Sequence, residues 1–301
     1  MYDIIIIGAG VAGLTAAIYG RRSSKSVLVL EAGSYGGQII NTLDIENYPA
    51  APHISGYDLS TTILNQAKEL GAEIIFEKVI DITLDKEVIT PNKTYKGKTI
   101  IIATGSVSKS LGLDNEKDLI GKGVSYCATC DGNFYKNKIV AVVGGGNTAL
   151  EDALYLTDIA KKVYLIHRRD EFRGSDTTLK LLKNKDNIEF IYNSTVTKLI
   201  AKDKLNSIEI TNNDSEKKEI EVDGLFIAIG QMPENNNFAK IINLDDSGYV
   251  KAKEDCKTNV EGIFVAGDVR TKEVRQLVTA TSDGAVAAIG AIKYINSLKW
   301  C

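Results

Sequence analysis

The sequence contains few of the residues that stabilise small secreted proteins or structural zinc sites. Its 301 residues include only four cysteines and two histidines. Four cysteines are too few for a secreted disulfide scaffold. Basic residues are not in excess either, since 36 Lys and Arg are matched by 39 Asp and Glu. This balance excludes a globally basic nucleic-acid-binding protein and is typical of a soluble enzyme.

Convincing secretion signals and membrane spans are also absent from the sequence. The apolar stretch Ile4–Gly20 starts directly after Asp3, has no basic segment before it and is rich in Gly and Ala. It therefore predicts neither a signal peptide nor a transmembrane helix. The chain is long enough for two globular domains. We expect a cytoplasmic protein with no membrane or nucleic-acid partner.

What the sequence does contain is one pattern used twice. Each copy has an apolar run, a glycine-rich loop, a helix-like stretch, a second apolar run, and then short strand-like segments that close with an apolar run ending in glycine. In the first copy these parts are residues 2–7, 8–13, the stretch to about 22, 26–30 and 72–105. In the second copy they are residues 138–143, 144–149, 150–159, 162–166 and 188–230.

The repeated pattern predicts an α/β fold with two Rossmann-like, three-layer dinucleotide-binding domains. Continuous runs of Ile and Val are typical of a buried parallel sheet covered by helices. Residues after about Asn237 do not start a third copy, but contain a strand-like run at 262–266 and a helical stretch at 277–298. We expect this segment to rejoin the first domain as its closing strand. The second domain (109–239) would then be inserted in the first (1–108 and 240–301), with crossings near 106–111 and 235–241.

The first glycine-rich loop predicts a dinucleotide site that excludes a 2′-phosphate. The loop has the spacing Gly8-x-Gly10-x-x-Gly13, with Ala12 inside it, between a strand and a helix. Glycine permits a tight turn, and the helix N-terminus offers unpaired N–H groups to a pyrophosphate. Glu31 lies eighteen residues after Gly13. A carboxylate there accepts hydrogen bonds from a ribose diol, which favours FAD or NAD.

The second glycine-rich loop predicts a site with the opposite charge preference. Gly144-x-Gly146-x-x-Ala149 has the same context, with Asn147 and Thr148 opening the helix. The position that corresponds to Glu31 is occupied by basic residues, namely His167, Arg168 and Arg169, with Arg173 close behind. Clustered guanidinium groups match phosphate geometry, so this site favours NADPH. Because NADPH delivers hydride and a flavin can accept it, FAD is the economical choice for the first site.

Two cysteines of the middle domain, Cys127 and Cys130, form a CxxC motif followed by Asp131. Such a pair closes a small reversible disulfide ring, in which one thiolate attacks a partner disulfide and the other resolves the mixed disulfide. Asp131 could transfer a proton to a leaving thiolate. Zinc binding and a purely structural disulfide are the alternatives. Zinc needs further ligands, and the remaining candidates are scattered along the chain: His53, His167, Cys256 and Cys301.

Taken together, these motifs resemble the bacterial low-molecular-weight NADPH-dependent thioredoxin reductases, which are FAD flavoproteins. The resemblance covers nearly the whole chain and includes Gly36-Gly37-Gln38, residues 45–49, the segment 123–126 before the cysteines, and Gly267-Asp268-Val269-Arg270. Two departures are mild: Val11-Ala12 replaces the more usual Pro-Ala, and Ser282 replaces a frequent Gly. The family is homodimeric and rotates its NADPH domain between half-reactions.

The resemblance also implies roles for individual residues. Cys130 would face the isoalloxazine ring, Cys127 would attack thioredoxin, and Asp131 would be the acid. Arg168, Arg169 and Arg173 would hold the NADPH phosphate, with the loop residues and Ile229 and Gly230 lining the same site. The expected FAD contacts outside the first loop are Glu31, Gly37, Gln38, Asn47, Ala103, Thr104, Gly105, Gly267, Asp268, Arg275 and Gln276.

Several rival functions leave different sequence signatures. Ferredoxin-driven reductases would lack the arginine cluster, and ferredoxin–NADP reductases of similar fold would lack the CxxC. Peroxiredoxin reductases carry an additional N-terminal thioredoxin-like region. A small-molecule disulfide oxidase and a non-catalytic dinucleotide sensor remain as alternatives, although a sensor has no need of adjacent thiols. We expect Cys256 to be an inert small residue and Cys301 to be incidental.

Overall fold

The computed structural model describes residues 1–42 and 44–298, apart from the side chain of Asn41. Cys301 therefore lies outside the described residues. The chain forms two compact units, Met1–Val107 with Met232–Cys301, and Ser108–Gln231. The predicted insertion of one Rossmann-like domain in another is confirmed. The second crossing differs from the expected position, because Phe238 and Ile242 pack in the core of the first unit and bring residues 232–239 with them.

Seventeen strands are assigned in the described residues. They are β1 (Tyr2–Ile7), β2 (Val27–Glu31), β3 (Glu73–Phe76), β4 (Asp81–Ile82), β5 (Glu87–Ile89), β6 (Thr94–Ile102), β7 (Val107–Ser108), β8 (Val124–Ser125), β9 (Ile139–Gly144), β10 (Lys162–Ile166), β11 (Ile188–Ile191), β12 (Ser194–Ala201), β13 (Leu205–Asn212), β14 (Lys217–Glu221), β15 (Gly224–Ala228), β16 (Gln231–Met232) and β17 (Ile263–Val265). The short strands β7 and β16, which pair with each other, contain the two crossings.

Six α-helices and four 3-10 turns complete the secondary structure of the described part. The helices are α1 (Val11–Arg22), α2 (Gly56–Glu69), α3 (Ala128–Asp131), α4 (Asn147–Thr157), α5 (Asp176–Lys183) and α6 (Leu277–Ser297). The 3-10 turns are Gly37–Asn41, Lys117–Leu119, Gly132–Tyr135 and Asn236–Phe238. Within the described residues, no helix combines the length and the apolarity that crossing a bilayer requires.

The first unit is built on a parallel sheet with the order β3-β2-β1-β6, and β17 pairs with the other edge of β6. The sequence pattern explains why this sheet is central. Alternate residues of β1 point to opposite faces, so Ile4 and Ile6 pack in one apolar cluster with α1, α2 and α6, and Ile5 and Ile7 pack in another. The antiparallel strands β4 and β5 continue from the first half of β6.

The second unit repeats this plan. Its parallel sheet has the order β11-β10-β9-β15-β8, and β12, β13 and β14 form a separate antiparallel sheet. Val140 and Val142 of β9 pack with α4, whereas Ala141 and Val143 pack toward residues of the antiparallel sheet. The predicted helix at 150–159 starts earlier, at Asn147, because Gly146 is its N-cap.

Candidate dinucleotide sites and redox-active disulfide

The first glycine-rich loop is shaped by contacts that leave no room for a side chain. Gly8 has a φ of +108°, and a Cβ at this position would lie 2.4 Å from the carbonyl oxygen of Ala103. A Cβ on Gly13 would lie 2.0 Å from the carbonyl oxygen of Gly8. Helix α1 begins directly after Gly10, whose position as N-cap carries no capping side chain. The N–H groups of the first helical turn are therefore available to an anionic ligand.

Three loops of the first unit meet at the carboxyl edge of its sheet, because they follow neighbouring parallel strands. They are residues 8–10 after β1, Ala103-Thr104-Gly105 after β6, and Gly267-Asp268 after β17. A Cβ on Gly267 would lie 3.0 Å from the Cβ of Ala12. The structure thus brings the predicted loop residues of the first site together.

Glu31 stands at the end of β2 and is bound to the first loop itself. Its Oε2 accepts a hydrogen bond from the N–H of Ala9 at 2.7 Å, and its Oε1 accepts one from Gly33 at 2.9 Å. A carboxylate can accept about four hydrogen bonds, so a ribose diol can still bind. The anchored carboxylate places negative charge beside the loop, which suits a dinucleotide without a 2′-phosphate.

Asp268 and Arg275 are half-buried, and each has a buried polar atom without a hydrogen-bond partner in the described residues, which indicates a bound polar group. The Oδ1 of Asp268 and the Nε of Arg275 are buried and have no partner in the described chain. Burial raises the pKa of Asp268, and the cations of Lys272 and Arg275 oppose this rise. The Arg275 guanidinium lies 4.2 Å from the ring of Tyr249. Unpaired buried polar atoms need a ligand or water, and the ribityl hydroxyls of FAD fit this donor and acceptor set.

The other predicted FAD contacts are held by hydrogen bonds or close contacts with neighbouring residues. Gln38 donates from Nε2 to the carbonyl of Ser106 at 2.5 Å. Asn47 donates from Nδ2 to Oε1 of Gln276 at 3.3 Å. Gln276 is the N-cap of α6 and forms a capping box with Thr279. Gly37, at the start of a 3-10 turn, lies beside Gly10, since a Cβ on Gly10 would be 4.0 Å from its Cα.

The second glycine-rich loop has the same construction. A Cβ on Gly144 would lie 2.3 Å from the carbonyl oxygen of Ala228 and 2.6 Å from the Cβ of Ala149. The loop opens helix α4, whose N-cap Gly146 again carries no capping side chain. Asn147 accepts from the N–H of Ser175 at 2.8 Å. Ile229 and Gly230 follow β15, which is the neighbour of β9 in the sheet.

His167 differs from the arginines that follow it. Its side chain is 4% exposed and is stacked on Phe172, with ring centroids 5.2 Å apart. The ring lies under the glycine-rich loop, where a Cβ on Gly145 would come within 2.0 Å of it. Burial lowers the pKa of His167, and the nearby arginines add to this effect. A neutral His167 therefore packs against Gly145 and supports the loop.

The three arginines of the cluster are exposed, in contrast to His167. Over the described residues, none of their guanidinium groups forms a hydrogen bond or an ion pair with another side chain. The backbone N–H of Arg173 donates to the carbonyl of Gly145 at 2.7 Å, which ties the cluster to the loop. Arg168, Arg169 and Arg173 are thus free to bind a phosphate beside the second loop.

Cys127 and Cys130 are joined in a disulfide, with an S–S distance of 2.09 Å and a Cα–Cα distance of 5.3 Å. Cys127 is the N-cap of the short helix α3, which includes Cys130 and Asp131. The strand β8 precedes the motif and is held at the edge of the second sheet by β15. In this state the two sulfurs are bonded to each other, so neither is a thiolate that could ligate zinc.

Asp131 is hydrogen-bonded to Ser125, a residue to which the sequence analysis assigns no role. The hydroxyl of Ser125 donates to Oδ2 of Asp131 at 2.6 Å. Burial raises the pKa of Asp131, and this hydrogen bond opposes the rise. The sequence contains one weak indication that Ser125 has a functional role, which is its position in an apolar strand two residues before a redox cysteine.

A second buried polar group near the motif was also missed. Glu116 is 2% exposed and accepts hydrogen bonds from the backbone N–H groups of Leu111 and Leu113, at 3.1 and 3.2 Å. The hydroxyl of Tyr126 donates to the same carboxylate. Because Tyr126 precedes Cys127, this contact fixes the backbone on which the disulfide begins.

The remaining candidate zinc ligands in the described residues are Cys256 and His53. Cys256 is fully buried, and burial raises the pKa of its thiol to about 12, which keeps it unreactive as a nucleophile. His53 is exposed and forms an ion pair with Asp44 at 3.0 Å.

Comparison with known proteins agrees with this geometry. The family described as pyridine nucleotide-disulphide oxidoreductase matches residues 2–284. A thioredoxin reductase of Listeria innocua is 44% identical over 304 residues, covering 99% of this chain and 95% of the relative. The thioredoxin reductase structure from Streptococcus pyogenes has a TM-score of 0.94 at 39% identity and covers 99% of both chains. The Lactococcus lactis enzyme in its FR conformation has a TM-score of 0.68 at 38% identity, covering 99% of this chain and 100% of that one. The chain therefore belongs to the pyridine nucleotide-disulphide oxidoreductase family and, within it, to the thioredoxin reductases.

Proposed function

We propose that this protein is an NADPH-dependent thioredoxin-disulfide reductase, with FAD in the first unit and NADPH in the second. The observation that carries the proposal is the closed Cys127–Cys130 disulfide, followed directly by the half-buried Asp131. The same unit holds a dinucleotide loop and a cluster of exposed arginines. The net reaction converts NADPH, a proton and a protein disulfide into NADP⁺ and a dithiol. We also propose that the enzyme is a cytoplasmic homodimer.

The residues of the first unit bind and orient FAD. The N-terminus of α1 would hold its pyrophosphate, and Glu31 would accept hydrogen bonds from the adenosine ribose. Asp268 would bind the ribityl chain through Oδ1, which has no hydrogen-bond partner among the described residues. Gln38, Asn47, Arg275 and Gln276 would line the flavin. When bound, FAD accepts hydride from NADPH and passes an electron pair to the disulfide.

The residues of the second unit bind NADPH and carry out the exchange. The arginine cluster holds the 2′-phosphate, and the N-terminus of α4 holds the pyrophosphate. Reduction of the disulfide gives two thiols, of which Cys127 attacks thioredoxin and Cys130 resolves the mixed disulfide. Asp131 protonates the leaving thiolate. Rotation of the second unit about the two crossings would allow bound NADPH and the dithiol to reach the flavin in turn.

The test is NADPH-driven reduction of thioredoxin by the purified protein and by its Cys127→Ser and Cys130→Ser variants. Each substitution removes one half of the disulfide, so we expect thioredoxin turnover to be lost in both. NADPH should still bleach the flavin absorbance, because hydride transfer to FAD precedes the disulfide. Full turnover in both variants would exclude the dithiol role. Oxygen consumption without NADPH would favour a disulfide oxidase instead.

A further inference from the structure

The side chain of Ser125 lies between the disulfide and the acidic residue that follows it. Ser125 is only 3% exposed and ends the two-residue strand β8. Its hydroxyl donates to Oδ2 of Asp131 at 2.6 Å, and its oxygen accepts from the N–H of Cys127 at 3.1 Å. The carbonyl of Cys127 is a second acceptor at 3.3 Å. A hydroxyl has one proton, and the nearer carboxyl oxygen is the stronger acceptor.

We propose that Ser125 is a positioning residue for the thiol–disulfide exchange, which holds the carboxyl of Asp131 against the backbone of Cys127 and determines which carboxyl oxygen carries the transferable proton. Because Oδ2 accepts the hydrogen bond from Ser125, the proposal places the acidic proton on Oδ1. The inference rests on the proposed function, since it requires Asp131 to be the acid of the exchange.

The step that Ser125 assists is balanced as follows. The Cys127 thiolate forms a bond to one sulfur of the substrate disulfide, and the bond between the two substrate sulfurs breaks. The leaving sulfur takes the electron pair of that bond and the proton from Oδ1 of Asp131. Asp131 becomes a carboxylate, which the hydroxyl of Ser125 stabilises. Solvent returns the proton afterwards.

The surroundings of Asp131 single out Ser125 as the group that acts on it. Burial raises the pKa of Asp131, and the hydrogen bond from Ser125 lowers it. Tyr135, in the following 3-10 turn, stays protonated, with its pKa raised to about 12 by burial and then by Asp131. Helix α4 packs against this segment through Tyr155, which a Cβ on Gly132 would approach to 2.8 Å.

The acidic groups nearest to Asp131 along α4 are Glu151 and Asp152 in the helix and Asp158 at its C-cap. None of them contributes to the shift in the pKa of Asp131. Ser125 is therefore the one protein group that offsets the burial of this carboxyl in the described chain.

The test compares Ser125→Ala with Ser125→Thr, which restores the hydroxyl, in the FAD-containing enzyme. We expect the rate of thioredoxin reduction by the pre-reduced enzyme to fall about tenfold in the alanine variant, which loses a charge-assisted hydrogen bond. The pH profile of this rate should move to higher pH, because a carboxyl without a donor keeps its proton longer. Ser125→Thr should restore both the rate and the pH profile. In a protein that already carries Asp131→Asn, Ser125→Ala should cause no further shift of the pH profile.

A spectroscopic measurement distinguishes the loss of Asp131 positioning from a general disruption of the folded structure. The infrared band of the protonated Asp131 carboxyl, identified by its loss in Asp131→Asn, should disappear at higher pH in Ser125→Ala than in the wild type. The matched control is Ser207→Ala. Ser207 is also 3% exposed in the second unit and donates to Glu219 at 2.5 Å, in the antiparallel sheet. Its loss should leave the exchange rate, the pH profile and the carboxyl band unchanged.

The outcomes distinguish this inference from the proposed function. If the wild-type enzyme does not reduce thioredoxin with NADPH, the proposed function fails. If it does, but Ser125→Ala matches Ser207→Ala in the pH profile and in the infrared titration, only the role of Ser125 is wrong. Should Ser125→Ala fail to fold, Ser125→Val and Ser125→Thr provide the same comparison with side chains of equal shape.

Discussion

The carboxyl of Asp152, in the middle of helix α4, is an acidic group that the proposed mechanism does not use. Burial, with a smaller contribution from the adjacent Glu151, raises its pKa from 3.8 to about 7. The folded protein therefore holds this proton more tightly than the unfolded chain does. The associated stability is complete below the unfolded pKa of 3.8 and is lost as the pH rises through about 7.

Replacing Asp152 should remove this pH dependence. We expect Asp152→Asn to increase the free energy of unfolding at about pH 8 by on the order of 2 kcal/mol relative to wild type, and to change it little at about pH 4. Urea unfolding of the FAD-containing protein across this range provides the measurement. Asp186→Asn, which neutralises an exposed carboxyl of the same unit, should show no such trend. Parallel curves for Asp152→Asn and wild type would contradict the assignment.

Residues with local roles could be predicted from the sequence, whereas residues with roles set by packing could not. Gly8 and Gly13 were predictable because the turn between a strand and a helix demands small residues within a few positions. The burial of His167 under Gly145 was not, since it depends on the stacking of Phe172 against the ring. The bond from Ser125 to Asp131 depends likewise on how the chain turns between β8 and α3.

At the scale of elements, the contact between α1 and α6 shows how a helix glycine determines packing. Gly284 is buried in α6, and a Cβ there would lie 2.2 Å from the carbonyl oxygen of Ala12. Ala12 lies in the first turn of α1, directly after the loop residues 8–10. The distance between the two helices is therefore set by the absence of a side chain at position 284.

Substitution of this glycine should affect both stability and cofactor content. We expect Gly284→Ala to lower the free energy of unfolding by about 2 kcal/mol, because overpacking outweighs the better helix propensity of alanine. The displaced loop should also retain less FAD after purification. Urea unfolding and the ratio of flavin to protein absorbance measure the two effects. Ser282→Ala, at an exposed position of the same helix, serves as the control, and equal behaviour of the two variants would refute the packing argument.

Element types followed from the sequence more reliably than element boundaries. The predicted bounds of β1 and β10 agree with the structure. Each strand has a run of four consecutive apolar residues, 4–7 and 163–166, that ends directly before a glycine or a polar residue. Helix α4 starts three residues before the predicted Leu150, since Asn147 and Thr148 resemble a loop in sequence but follow the N-cap Gly146. Polar residues of this kind occur both in loops and in the first turn of a helix, so the sequence does not determine where the helix begins.

At the scale of the whole molecule, the two units carry opposite charges at equivalent positions. Glu31 is the last residue of β2 in the first unit, and Arg168 comes two residues after the end of β10 in the other, directly after His167. The same fold can therefore select two different dinucleotides, because a carboxylate repels the 2′-phosphate that a guanidinium binds.

This difference in charge predicts that Arg168→Ala weakens the binding of NADPH selectively. We expect the KM for NADPH to rise about tenfold or more, which corresponds to the loss of one charge-assisted contact of about 1.4 kcal/mol. The KM for NADH and the FAD content should change little. Lys180→Ala removes an exposed positive charge from α5 of the same unit and should leave the preference intact. An equal rise in the KM for NADPH and for NADH would show that Arg168 does not bind the 2′-phosphate.

The sequence by itself determined the features that short stretches of chain encode. These are the duplicated strand, loop and helix pattern, the opposite charges after the two loops, and the pairing potential of two cysteines three positions apart. Each depends on backbone geometry or charge over a few residues, which spacing along the chain expresses directly.

Only the tertiary structure decided which distant segments meet. β17 joins β6 from more than 150 residues away, through the pairing of Ile263 with Ile100. Residues 232–239 belong with the first unit because Phe238 packs in its core. The unpaired oxygen of Asp268 likewise results from burial that no local pattern reveals. Such contacts depend on the packing of side chains far apart in sequence, and their energies exist only once the fold has formed.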